Sequence, residues 1–438
     1  MVGASASGRH APEKGRGGAV GSGRVSLVCF SYDPWGAYEK NIHRLMRRLA
    51  HRPEMHRALF VEPEAWASRL LQGSRRREPG EEEARRRALR GALASPDERI
   101  AVWTPVHRVP FAGRAGWLRA LDRGRVRAGL RRAMRRLGIA GPLLWVNRPA
   151  EPWLLEAAGP SRGLVLHWSD DWEAFASPPE REPTRRRTEA LLRRADLVFA
   201  VSPGLRARAE ALNPNAFLLP NATDPAFFEA AGDPATAPAP ELADLPRPIL
   251  GFVGFLSPRL DFPLLEAIAR RRPEWTFAFV GPERRLAGAG EAFFSLPNVR
   301  RLGPRPAAEI PRYYRGMDVC LVPFRRDEST RDADAIKLYE YLAAGRPVVA
   351  TDAAGADRAR EFVRVAEGAE AFERAVREAL ARHDPGEVER GRAFARRNSW
   401  EARAQEVVTR LAERGLLASP DPPGREVAEP GRRLAVSP

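Results

Sequence analysis

Short apolar runs alternate with helical patterns along this chain, and the series occurs twice. Seven runs fall near residues 24–30, 58–61, 99–103, 143–146, 163–167, 197–201 and 217–219, and six more near 249–253, 276–280, 299–302, 319–322, 347–350 and 361–365. An unbroken apolar run of this length reads as a strand buried on both faces, and a helix between successive strands makes them parallel. The 438 residues also exceed the roughly 250–300 at which one hydrophobic core stops growing. The expectation is an α/β protein of two doubly wound, Rossmann-like domains facing each other across a cleft. Residues 24–223 form the first domain and 248–385 the second, with further helices over 386–417. Between the domains, 224–247 contains an Ala/Pro-rich stretch that reads as a linker. The tails, 1–23 and 418–438, read as disordered.

Composition narrows the compartment and the partners. The two cysteines, Cys29 and Cys320, lie in apolar runs in different halves of the chain. A disulfide is therefore not expected, and a reducing cytoplasm fits. Residues 1–23 lack the apolar centre of a signal peptide, and no run approaches the ~18 apolar residues of a membrane span. A net charge of +16 invites a nucleic-acid reading, yet the arginines are spread over amphipathic helices and no helix-turn-helix, RNA-recognition or zinc-finger signature is present. Nucleic acid is not an expected partner; solvated helix faces or an anionic membrane surface account for the charge. Residues 113–138 carry nine arginines against one aspartate beside Trp117, Leu118, Leu121, Leu130, Met134 and Leu137. Such a segment suits anionic lipid, and its apolar side suits packing on the sheet equally well. The charged run at 74–90 reads as a solvated helix and loop.

Residues 332–350 carry the most chemistry. Lys14, Lys40 and Lys337 are the only lysines among 72 basic residues, so a surviving lysine asks for a reason: an ammonium and a guanidinium fill different sites. Lys337 and Glu340 are three apart in a helical pattern and can share one rim. Gly345 then ends the helix, and Pro347 leads into an apolar strand. This order resembles the nucleotide-sugar site of GT-B fold glycosyltransferases, most closely the large retaining family that includes sucrose and bacterial mannosyl transferases (glycosyl transferases group 1, family 4-like). The family pattern Glu-x7-Glu is met by Asp332-x7-Glu340. Ala-Asp-Leu-Val-Phe-Ala-Val-Ser-Pro at 195–203, Leu-Pro-Asn-Ala-Thr-Asp at 219–224, Gly-Phe-Val-Gly-Phe at 251–255 and Asp-Val-Cys-Leu-Val-Pro-Phe at 318–324 are similar to family segments in family order. Together the resemblance spans about 24–415.

The resemblance implies donor binding by the second domain, acceptor binding by the first, and a last helix that crosses back onto the first. Gly254, at the end of the second domain's first strand, would bring backbone N–H groups to a diphosphate, and Arg259 could reach it. Lys337 is the phosphate ligand and Glu340 the acceptor of two ribose hydroxyls. Asp332 takes the place of the sugar-contacting glutamate, one methylene shorter, behind an Asp327-Glu-Ser-Thr-Arg331 prelude seen in a subgroup of the family. Asp332-Ala-Asp334 also spells Asp-x-Asp, a metal motif of another transferase fold, but with Lys337 supplying positive charge no metal site is expected. On the first domain, Asp170 or Asp171 could serve as base or acceptor anchor; adjacent side chains on an extended strand point to opposite sides, so one faces the cleft and the other caps the next helix. Asn147, Arg148, Asp33 and Gly36 sit at strand ends that could bind acceptor. The implied activity is transfer of a sugar from a nucleoside-diphosphate sugar to a hydroxyl acceptor, which could be lipid-linked, in cell-surface polysaccharide or glycolipid synthesis. No further cofactor is expected, and retention is favoured over inversion. Alternatives are a nucleotide-sugar epimerase on the same fold and a non-catalytic sugar-nucleotide-binding protein.

Overall fold

The computed structural model describes residues 24–417 except 37, 38, 72–78, 92, 111–114, 285, 287, 382 and 383. Both tails lie outside the described residues, as do 113 and 114 of the arginine-rich segment and 74–78 of the charged run. The first half contains β1 (Val25–Ser31), β2 (Met55–Val61), β3 (Ala65–Trp66), β4 (Ala94–Asp97), β5 (Ile100–Trp103), β6 (Val106–His107), β7 (Leu143–Asn147), β8 (Gly163–Trp168), β9 (Leu197–Ala200) and β10 (Ala216–Leu218). The second contains β11 (Ile249–Val253), β12 (Thr276–Val280), β13 (Val299–Gly303), β14 (Val319–Val322), β15 (Val348–Ala350) and β16 (Val363–Val365). An eight-stranded sheet runs β10-β9-β8-β7-β1-β2-β5-β4, and a six-stranded sheet runs β13-β12-β11-β14-β15-β16. Every pairing in them is parallel except β4 with β5.

The central strands are largely apolar because both faces of each sheet are covered. Along β1, Val28 and Phe30 enter one core cluster while Leu27 and Cys29 enter the other. The second sheet is sandwiched in the same way. Cys29 and Cys320 are buried and unpaired, one in each sheet. In each domain the first strand is central and the order reverses beside it, between β1 and β7 and between β11 and β14. At such a switch point, crossover helices leave in opposite directions and open a crevice at the carboxyl ends of the strands.

The strands unforeseen in the sequence are short. β4 reads Ala-Ser-Pro-Asp, too polar to signal a strand, and pairs at the sheet edge; β3 and β6 are two residues each. The connection at 224–247 is not a free tether. Phe228, Ala231, Ala239 and Leu242 pack into the second domain's core, because apolar residues punctuate the Ala/Pro background at intervals that two short helices, Pro225–Glu229 and Pro240–Ala243, turn inward. At the chain's end, the helix Trp400–Glu413 places Trp400, Ala404, Val407, Val408 and Leu411 in the first domain's core, which ties the two halves together.

Candidate functional site

The switch points of both sheets open into one cleft of about 1680 Å³. Asp33, Gly36, Asn147, Arg148 and Asp170 line it from the first domain, and Gly254, Arg259, Lys337 and Glu340 from the second. Asp171 and Asp332 are not among the lining residues.

On the second domain the helix Ile336–Ala343 begins at the cleft and ends where Gly345, at φ +66°, lets the chain turn back; the Gly345 and Arg346 N–H groups donate to the Leu342 and Tyr341 carbonyls. This orientation puts Lys337 and Glu340 on the rim. Lys337 Nζ donates to Glu340 Oε2 at 2.7 Å, the buried Tyr314 hydroxyl donates to the same oxygen at 2.9 Å, and Arg44 from the first domain lies 3.5 Å from Oε1. Burial alone would raise the Glu340 carboxyl; Lys337 and Arg44, with the two hydrogen bonds, hold it below the usual carboxylate range. Both oxygens thus already have partners, and ribose hydroxyls would have to share them. A side chain on Gly254 would crowd the Lys337 stem, its Cβ 3.2 Å from Cε, and a Cβ on Gly281 would lie 1.9 Å from the Gly254 carbonyl oxygen. Glycine at both places is what lets β11, β12 and the lysine converge. Arg259 spreads its guanidinium over the rings of Phe175 and Phe324, and its buried Nε has no hydrogen-bond partner.

On the first domain, the loop after β1 is pinned by Glu62, a fully buried carboxylate that accepts from the Trp35 N–H, Arg87 and Thr104. Asp33, on that loop, accepts from Lys40. Asn147 is spent on structure: its amide donates to the His167 carbonyl at 2.9 Å and the Ser169 hydroxyl at 2.8 Å, joining the ends of β7 and β8. Arg148 donates to Glu64 at 3.0 Å, and Glu64 in turn meets His107. Asp170 faces the cleft with its carboxyl pushed up to about 6 by burial, moderated by Arg259, Lys40 and Arg284. That value suits a base working near neutrality.

Asp332 and Asp171 serve a different place. Arg208 of the first domain donates to Asp171 at 2.7 Å and lies 3.7 Å from Asp332, while Ser202 donates to Asp332 at 3.4 Å. The Asp332 carboxylate fills the space where a side chain on Gly204 would stand. The shorter side chain at the family's glutamate position therefore reaches the neighbouring domain rather than the cleft. Asp334 lines the cleft instead, accepting from the Asn221 N–H at 2.6 Å and the Tyr339 hydroxyl at 2.9 Å. The two aspartates of the Asp-x-Asp sequence thus diverge onto separate partners. Among the described residues, no group of three or more His, Cys, Asp or Glu is placed to hold a metal ion.

Sequence reasoning passed over Lys40, Arg44 and Tyr314, and met Asn221 only within the 219–224 segment and Asp334 only as half of the Asp-x-Asp sequence. Lys40 carried the same signal as Lys337, scarcity, and both described lysines line the cleft. Arg44 and Tyr314 carried none, because their partner Glu340 lies far away in the sequence.

Two doubly wound sheets with switch points facing across one cleft make the GT-B fold, and here the second presents a Lys–Glu pair to that cleft. Residues 247–382, nearly the whole second domain, match the family described as Glycosyl transferases group 1, so the chain resembles GT-B glycosyltransferases in both sequence and fold. TuaH of Bacillus subtilis (strain 168), named for a glycosyltransferase role in teichuronic acid biosynthesis, is 38% identical over 108 residues, which is 24% of this chain and 26% of that protein. The match thus spans about a quarter of the relative's length. Sucrose-phosphate synthase from Thermosynechococcus elongatus superposes with a TM-score of 0.64 at 18% identity, over 89% of this chain and 99% of that one. Anabaena HepE in complex with UDP gives 0.58 at 16%, over 89% and 100%. The E. coli trehalose-6-phosphate protein bound with UDP-2-fluoro glucose gives 0.58 at 14%, over 88% and 98%.

Proposed function

We propose that this protein is a glycosyltransferase that moves a sugar from a nucleoside-diphosphate sugar to a hydroxyl acceptor. The observation that carries the reading is the Lys337–Glu340 pair beside Gly254 at the second sheet's switch point. There a cation, a backbone close enough for phosphate and a carboxylate for a ribose meet in one place. Arg259 adds charge to the donor side, while Asp33, Gly36, Arg148 and Asp170 form the acceptor side. The TuaH match supports cell-surface polysaccharide synthesis as the context in this reading, and the UDP-bound neighbours make a uridine nucleotide the first donor to try. The acceptor is lipid-linked in this reading, which places the enzyme at the cytoplasmic face of a membrane. Among the described residues no helix is long and apolar enough to cross one.

Titration with UDP-, GDP- and ADP-sugars, followed by product analysis, tests the proposal: one donor binds and its sugar appears on an added hydroxyl acceptor. Binding without turnover would favour a non-catalytic carrier, and an epimerised donor would favour an epimerase. Retention at the anomeric carbon is the outcome we favour. Asp170 supports a second reading, inversion, because a cleft carboxylate raised to about 6 can take the acceptor's proton. The anomeric configuration of the product by NMR decides between them.

A further inference from the structure

The second described lysine sits opposite the first. Lys40 precedes the helix Asn41–Ala50, and its backbone N–H donates to His43 Nδ1 at 3.1 Å. His43 is buried against Trp35 and Phe60, and burial lowers its pKa to about 4, so near neutrality the ring keeps Nδ1 as an acceptor and holds the start of the helix in place. From this fixed base the Lys40 side chain, 24% exposed, extends into the cleft. Its Nζ donates to Asp33 and lies 5.7 Å from the centre of the Phe255 ring, which belongs to the other domain and follows Gly254. A first-domain cation therefore stands over the segment of the second domain that would approach a diphosphate.

We propose that Lys40 is a further catalytic residue, a second ammonium on the leaving nucleoside diphosphate delivered from the acceptor domain. The proposal rests on the cleft being a nucleotide-sugar site. As the bond from the anomeric carbon to the phosphate oxygen breaks, its electron pair stays on that oxygen. The acceptor oxygen bonds to the carbon, and the acceptor's proton passes to the departing phosphate. Negative charge thus grows where Lys337 meets it from one side and Lys40 from the other. A compact ammonium can rotate from Asp33 toward the phosphate, whereas a planar guanidinium would need a wider slot. Because Lys40 and Lys337 belong to different domains, the full charge is assembled only when the domains are together, which links bond breaking to closure.

The test compares Lys40→Met, Lys40→Arg and Asp33→Asn with wild type, using UDP binding and turnover of whichever UDP-, GDP- or ADP-sugar the wild type accepts. Lys40→Met is expected to lower kcat by ~10² to 10³, including the slow hydrolysis of donor without acceptor, and to weaken binding of free UDP, which carries the leaving group's full charge, more than that of the intact donor. Lys40→Arg keeps the charge and still loses at least about tenfold. Asp33→Asn, at an acceptor-side residue, is expected to raise the acceptor's KM and to lower donor hydrolysis less than Lys40→Met does. Unimpaired turnover in Lys40→Met overturns the proposal; so does a loss in Asp33→Asn equal to that in Lys40→Met, which would make the lysine a support for Asp33. Failure of the wild type to bind or turn over any nucleotide sugar removes the donor-site reading and this proposal with it.

Discussion

Glu340 shows how much of a site one residue can organise. It is buried, yet its carboxylate is bonded by Lys337 and Tyr314 and faced by Arg44 across the domain boundary. Replacing Lys337 by arginine separates a solvated lysine from a fitted one. A plain helix position would tolerate the change within ~0.5 kcal/mol. The stem here is confined between Gly254 and Glu340, so a planar fork must displace one of them. Turnover should fall at least about tenfold, one donor being worth ~10²–10³ in rate where it is fully lost, with the melting temperature nearly unchanged; full activity in this variant would remove Lys337 from the site. Asp170 carries a pH prediction. A base must be ionised to act, and with its carboxyl at about 6 activity through it is present above that pH and fades as pH falls through it. The acid limb of the kcat/KM profile should sit near 6 and vanish in Asp170→Asn; an unchanged profile would make Asp170 a spectator. The rare lysine was legible in the chain itself. Arg44 and Tyr314 were not, since nothing local marks an arginine or a tyrosine as facing a carboxylate hundreds or tens of residues away.

At the scale of elements, the donor loop before the Lys–Glu helix is held by the opposite domain. Asp332 meets Ser202 and Arg208, Glu328 pairs with Arg181 at 3.1 Å, and Asp334 bonds Asn221, which also receives a bond from Asn41. Burial and the nearby Asp171 raise the Asp332 carboxyl, while Arg208 and the Ser202 hydrogen bond act against the rise. Because Arg208 is 43% exposed, solvent screening limits each of its bridges to ~0.2–1 kcal/mol. Arg208→Ala should therefore weaken closure by a factor of roughly 1.5 to 5, read as a modest rise in nucleotide Kd and a larger radius of gyration by small-angle scattering. No change in either would show that the latch does not hold the cleft shut. The element order itself was readable because the central strands are built on largely apolar runs. The edge strand Ala94–Asp97 was not, since a strand with one partner at a sheet edge can be built from polar residues.

For the whole molecule, the net charge of +16 has a visible focus on the helix Gly116–Arg136. Val126, Leu130, Ala133 and Met134 pack on the first domain, so most of the apolar side is used for folding. Trp117, 70% exposed, and Leu121, 51% exposed, remain outside beside the arginines. This arrangement suits attachment to an anionic bilayer, each arginine near the surface adding ~1 kcal/mol. Flotation with phosphatidylglycerol vesicles should show binding at low salt that is lost at high salt and reduced in a Trp117→Ser, Leu121→Ser double variant; absence of binding at low salt would end the membrane reading. The chain by itself determined that two parallel sheets form, because apolar runs, helix periodicity and glycine stops are local signals that short-range sterics and burial enforce. It also marked Lys337 and Glu340, whose spacing of one helical turn is a local fact. Tertiary structure alone decided that Asp332 leaves the cleft for Arg208, that Arg44 reaches Glu340, and that Lys40 faces the second domain. Those outcomes depend on how two separately folded sheets dock, and side chains far apart in sequence acquire partners only when burial brings their charges together.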